Sequence, residues 1–196
     1  MVRFNKYFIV IASAVALLAR AAAGPSGGEA WPKAVDVRGK VRDPLGSEAS
    51  RLNVFFFVRT DCPISNQYAP EMSRLQREFA GRGVAFWLVY PDADDTAAAI
   101  AKHRQEYGLA APALRDVEHR LVDFAGIRVT PEAALYAEGG RELYHGRIDN
   151  RYVDLGKARA EATVHDLEVA VTEALEGKPI VTPTNEAVGC ILEKPE

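Results

Sequence analysis

Cysteine is scarce in this chain: Cys62 and Cys190 are the only two among 196 residues. Ser65 stands three places after Cys62 and Asn66 four places after it. Cys62 therefore has no partner within one helical turn, which excludes an internal dithiol of either spacing. One-signed charge is lacking too. The net charge is −3 and no block of like charges occurs, so there is no electrostatic footprint for nucleic acid and no strong one for a membrane surface. No internal repeat appears, and no apolar run beyond residue 18 is long enough to span a bilayer. Glycine-rich phosphate loops, serine nucleophile elbows and paired-carboxylate constellations are likewise missing.

What is present begins with an export pattern. Arg3 and Lys6 precede an apolar core over residues 7–18, and Ala21-Ala22-Ala23 offers small residues for cleavage. A signal peptide over 1–23 and a Gly/Pro-rich linker over 24–33 are expected, with an uncleaved anchor as the other reading. No cysteine lies near the cleavage site, which argues against lipid modification. Export to a periplasmic or other extracytoplasmic space would let disulfides persist. The remainder is one domain by length, 34–177, followed by an irregular tail, 178–196, that carries Cys190.

The apolar run Phe55-Phe56-Phe57-Val58 breaks into Arg59-Thr60-Asp61, and Cys62-Pro63-Ile64-Ser65 opens a helical pattern. A strand thus delivers a thiol to a helix N-terminus, where backbone N–H groups favour the thiolate. Apolar residues continue at Ile64, Tyr68, Met72, Leu75 and Phe79, with Pro70 inside the helix and Gly81 and Gly83 at its end. Downstream, residues 84–90 read as a second central strand. A helix over 96–107 capped by Asp94 or Asp95 follows, then a short strand at 113–115 and a helix over 117–124. Thr130-Pro131 leads into a hairpin of 133–136 and 142–144. A capping-box-like Thr163 with Asp166 opens a last helix with Val164, Leu167, Val171 and Leu175 on its apolar face. Strands alternating with helices predict an α/β fold.

Cys62 before a proline-kinked helix, with Thr130-Pro131 far downstream, resembles the thioredoxin-like superfamily in its redoxin, AhpC-TSA and TlpA-like branch. The likeness covers about residues 35–175. It implies a thioredoxin-like fold: a central mixed sheet flanked by helices, with the inserted strand and helix typical of redoxins. It also implies that Pro131 is a cis proline facing Cys62. The motif here is Cys-Pro-x-Ser, so dithiol turnover of the thioredoxin kind is not available at Cys62. A peroxiredoxin carries a hydroxyl residue three places before its cysteine, where this chain has Arg59; Thr60 is one place off.

The resemblance implies an exported thiol oxidoreductase, acting in thiol–disulfide exchange or peroxide reduction with Cys62 as nucleophile. Asp61 raises the thiol's pKa by like-charge repulsion, while Arg59 and the helix terminus act in the opposite sense. Cys190 reads either as a small buried hydrophobe or as the resolving cysteine. Arg59, Thr60, Asp61, Pro63, Ser65, Thr130 and Arg147 form the expected binding rim, with His145 as a further option or merely part of a surface turn. Expected partners are a thiol or disulfide protein or a small peroxide, with no nucleic acid, no stable membrane insertion after signal cleavage, and a monomer or homodimer. No organic cofactor and no metal are implied. The alternatives are a redox-inactive binding module with a structural disulfide and a copper-handling protein using Cys62, Cys190 and His145. His103, His119 and His165 read as surface residues on helices.

Overall fold

The computed structural model describes residues 31–46, 48 and 50–195, so the expected signal peptide and most of the expected linker lie outside them. Strand β3 (Leu52–Phe57) sits mid-sheet because all six of its residues are apolar or internally bonded, and all six are buried. It pairs in parallel with β4 (Val84–Tyr90) and antiparallel with β7 (Glu132–Ala137). Around this trio the sheet runs β2-β1-β5-β4-β3-β7-β8, with β1 Ala34–Asp36, β2 Val41–Arg42, β5 Ala113–Arg115 and β8 Glu142–Gly146.

The pleat sorts the strands' side chains onto two faces. Val54, Phe56, Phe86 and Leu88 meet Tyr68, Met72, Leu75 and Phe79 of α1 (Pro63–Phe79), together with Leu167 and Val171 of α4 (Asp166–Leu175). Phe55, Phe57, Trp87 and Val89 meet Leu121, Val122 and Ala125 of α3 (Arg120–Ala125) on the other face. The remaining helix, α2 (Ala97–Glu106), places Ile100 in the first core. This is the expected mixed sheet flanked by helices.

Three helix starts differ from the sequence reading, because side chains other than the expected caps take the backbone N–H groups there. Thr96, not Asp94 or Asp95, caps α2, accepting from the Ala99 N–H at 3.1 Å. Helix α3 begins at Arg120 because buried Asp116 accepts from the Leu121 and Val122 N–H groups, both at 2.9 Å. Helix α4 begins at Asp166 with no capping box. The Thr163 and Val164 N–H groups instead donate to Asn150 Oδ1 at 2.9 and 3.1 Å, and Val164 is left 44% exposed.

The tail is more ordered than an irregular segment. It returns from α4 along the β8 edge, where His145 bridges to Thr184, and then forms β11 (Cys190–Ile191). That strand pairs antiparallel with β6 (Val129–Thr130), setting Cys190 opposite Thr130. A further small hairpin joins β9 (Tyr152–Asp154) to β10 (Lys157–Ala158). No helix among the described residues is long and apolar enough to cross a membrane.

Candidate active site

Strand β3 ends at Phe57, four residues carry the chain past the end of the strand, and Cys62 takes the N-cap position of α1. Pro63 follows in the first turn, where its missing N–H costs no helical hydrogen bond. Cys62 is 1% exposed, not on a solvent-facing turn, because the tail and the cis-proline loop close over it. Its sulfur is joined to Cys190, with Cα atoms 6.2 Å apart across 128 residues of sequence. The Thr130–Pro131 bond is cis, and Cys62 Sγ lies 3.1 Å from the Thr130 carbonyl oxygen. A disulfide sulfur has no proton to give; a reduced thiol in that place would donate its S–H to this carbonyl.

Gly189 makes the tail's approach possible. A Cβ there would overlap the Thr130 backbone, so only glycine lets β11 lie this close to the loop. Glu132, directly after Pro131, holds the same loop from beneath. Buried at 5% exposure, it accepts from the Arg128 N–H at 3.0 Å through Oε2. Its Oε1 lies 3.1 Å from His145 Nε2, and that hydrogen bond pushes the imidazole's pKa above its ordinary value.

The expected rim residues divide sharply. Arg59 is engaged by Asp92 at 2.7 Å and by exposed Asp61 at 3.0 Å. Thr60 turns its hydroxyl and its N–H onto Asp95, a carboxyl only 3% exposed, whose burial raises its pKa. Arg147 forms a bidentate pair with Asp166 of α4, with contacts of 2.8 and 3.1 Å, so its charge braces β8 against the helix. Ser65 and Thr130 are buried, and neither hydroxyl has a hydrogen-bond partner. Pro63 is exposed.

Sequence reasoning missed the polar network behind the cysteine turn. Asn66 Nδ2 donates to the Thr60 carbonyl at 3.3 Å, and its Oδ1 lies 2.8 Å from His103 Nε2. His103 Nδ1 lies 2.9 Å from the Tyr90 hydroxyl. His103 is therefore a buried core residue, not a surface one, and burial lowers its pKa. His119 is also buried, at the head of α3, whereas His165 is exposed. A polar helix residue four places past the cysteine was the available signal, but its partner lies 37 residues on.

Two metal constellations can be weighed. In the first, the sulfurs of Cys62 and Cys190 are bonded to each other and His145 is held by Glu132, so this set presents no open thiolate ligand in the oxidised form. In the second, Glu71, His165 and Glu168 offer atoms within 4.8 Å of one another, but Arg74 already pairs with both carboxylates.

The same architecture recurs in solved structures. A hypothetical protein of Sinorhizobium meliloti 1021 is 23% identical, with a TM-score of 0.72 over 83% of this chain and 90% of that one. An uncharacterized conserved protein of Geobacillus kaustophilus is also 23% identical, with a TM-score of 0.73 over 86% and 93%. A secreted Mycobacterium tuberculosis disulfide oxidoreductase, described as homologous to E. coli DsbE, is 17% identical, with a TM-score of 0.51 over 75% and 96%. These likenesses establish a thioredoxin-like fold. No curated protein matches significantly. Residues 45–145, which hold the β3–Cys62–α1 turn and the cis-proline loop, match the AhpC/TSA family, and since that segment is more than half of the chain, the protein belongs to the AhpC/TSA family.

Proposed function

We propose that this protein is an exported thiol oxidoreductase that exchanges disulfides with another thiol protein through Cys62, with Cys190 as the resolving thiol. The observation that carries the reading is the placement of Cys62 at the head of α1, bonded to a cysteine on a short docked strand rather than to one in the core. Such a strand can leave without dismantling the sheet.

In the reduced protein the Cys62 thiolate attacks a partner disulfide, forming a mixed disulfide and releasing one partner thiolate. The Cys190 thiolate then attacks the Cys62 sulfur, closes the internal disulfide and expels the second partner thiolate. The partner gains two electrons and this protein loses two. For return, Cys190 is half-buried and Cys62 is covered, so a reducing thiolate has its open route at Cys190. Cys62 then departs as a thiolate at the N-terminus of α1, which favours negative charge.

Disulfide exchange is favoured over peroxide reduction by the neighbouring groups. The Thr60 hydroxyl is committed to Asp95 and Arg59 Nη2 to Asp61 and Asp92, so that hydroxyl and that amino group are not offered to a peroxide at Cys62. Export rests on the N-terminal pattern, and a secreted disulfide oxidoreductase of M. tuberculosis shares the fold. The proposed boundaries remain a domain over 34–177 and a tail beyond it. A second reading, a binding module stapled by a static disulfide, is favoured by the burial of Cys62.

An aromatic disulfide dye separates the two. Reduced wild-type protein should release two dye thiolates per chain and finish with Cys62 bonded to Cys190. Cys190→Ser should stop at a stable dye adduct on Cys62, and Cys62→Ser should lose the fast phase. If the folded, reduced protein gives no fast reaction at Cys62, exchange is excluded and the stapled module stands.

A further inference from the structure

The tail is held at two places of different chemistry. One is the Cys62–Cys190 bond. The other is Asn185, five residues earlier, which is seated without any covalent link. Asn185 Oδ1 accepts from the Arg147 N–H at 2.9 Å and lies 3.2 Å from the Tyr144 hydroxyl, and its Nδ2 donates to Asp166 Oδ1 at 3.1 Å. Its main chain pairs with β8: the Asn185 N–H donates to the His145 carbonyl at 3.3 Å, and the His145 N–H donates to the Pro183 carbonyl at 3.0 Å.

The receiving surface is built for this contact. Tyr144 is fully buried, and the Asp166 side chain is 7% exposed and already fixed by Arg147. Gly146 has φ +147°, and a Cβ there would overlap the Asn185 carbonyl and side-chain oxygens. None of these contacts is made through a sulfur atom. Beyond them, Gly189, Cys190 and Leu192 are held by the sulfur bond and by the short β6–β11 pairing, next to which the Leu192 N–H donates to the Arg128 carbonyl at 3.0 Å.

We propose that Asn185 is a positioning residue: a redox-independent pivot that keeps the tail docked when Cys62–Cys190 opens, so that only the segment beyond it swings and Cys190 stays within reach of Cys62. The proposal rests on the thiol-exchange reading. Five residues span at most about 17 Å, so the released cysteine remains close to the head of α1. Without the side-chain clip, the next upstream hold is the Pro183 carbonyl on the His145 N–H at 3.0 Å, seven residues from Cys190. Lengthening the tether from five to seven residues lowers effective concentration by less than about twofold, and loss of the aligned register raises the expected deficit to the order of tenfold.

The test is an equilibrium in glutathione redox buffers at neutral pH, with thiols alkylated and the oxidised fraction read by mass. Asn185→Ala should lower the effective concentration of Cys190 toward Cys62 on the order of tenfold. Asn185→Asp, which keeps the acceptor but sets a carboxylate against Asp166, should fall between. Exposed Glu186→Ala should match wild type. Hydrogen exchange on the wild type needs no variant: on reduction the Leu192 amide should lose protection while those of His145, Arg147 and Asn185 keep it.

Asn185 variants within about twofold of wild type, or loss of protection along the whole tail together, would overturn the pivot and leave thiol exchange standing. A wild-type disulfide that does not equilibrate until the protein unfolds would overturn the thiol-exchange reading and the pivot with it.

Discussion

Asp95 shows how a single buried charge sets the cysteine turn. Its carboxylate receives both the N–H and the hydroxyl of Thr60, two residues before Cys62, while the Arg115 guanidinium donates to the Asp95 carbonyl oxygen at 3.0 Å. Asp95→Ala leaves the partly buried Thr60 donors without an acceptor and should cost about 1–3 kcal/mol in denaturant unfolding, whereas Asp95→Asn keeps an acceptor and should cost less. The pH dependence has a definite sign. Burial raises the folded-state pKa above 3.8, so the folded protein holds this proton longer than the unfolded chain. Stability from this group therefore falls as pH rises from about 3.8 through the folded value. Asp95→Asn should remove that fall, visible as a flatter stability profile on the acid side.

At the scale of elements, the site depends on two approaches too close for an ordinary side chain: β11 onto β6 at Gly189 and the tail onto β8 at Gly146. Gly189→Ala puts a methyl group into the Thr130 backbone and should push β11 off the loop. Native alkylation after mild reduction should then label Cys62 faster than in wild type, with the far-ultraviolet spectrum unchanged. Equal labelling would show that the tail does not cover the thiol.

The elements themselves were largely legible in sequence. The run Asn53–Val58 reads as a buried strand, and the strand is Leu52–Phe57; a cysteine followed by proline before a 3–4 apolar spacing reads as the head of a helix. The hairpin around Gly139 was equally plain. What sequence did not disclose were contacts set by tertiary pairing. Asn150 displaced Thr163 as the cap of the approach to α4, Asp116 shortened α3 from outside it, and Thr60 spent its hydroxyl on an aspartate 35 residues away. Arg147 had the charge for a thiolate but lies in reach of Asp166, whose position depends on where α4 packs.

For the molecule as a whole, the domain and its tail are one structure in the oxidised state and are expected to become a domain with a tethered arm in the reduced state. The sheet, with helices on both faces, supplies the rigid part; the strand that closes the site is two residues long and joins no core sheet. Closing a loop across 128 residues stabilises the folded chain by up to about 5 kcal/mol in the chain-entropy model. Cys190→Ser should lower the unfolding free energy by no more than that.

The decisive measurement is peptide-mapping mass spectrometry on the folded protein, alkylated first without reductant and then after mild reduction. A Cys62–Cys190 bond that opens under mild reductant while the fold persists, with Cys62 becoming the faster-alkylated thiol, is the predicted result. A bond that yields only when the protein unfolds, or two free and sluggish thiols, would contradict a redox cycle between the head of α1 and the tail.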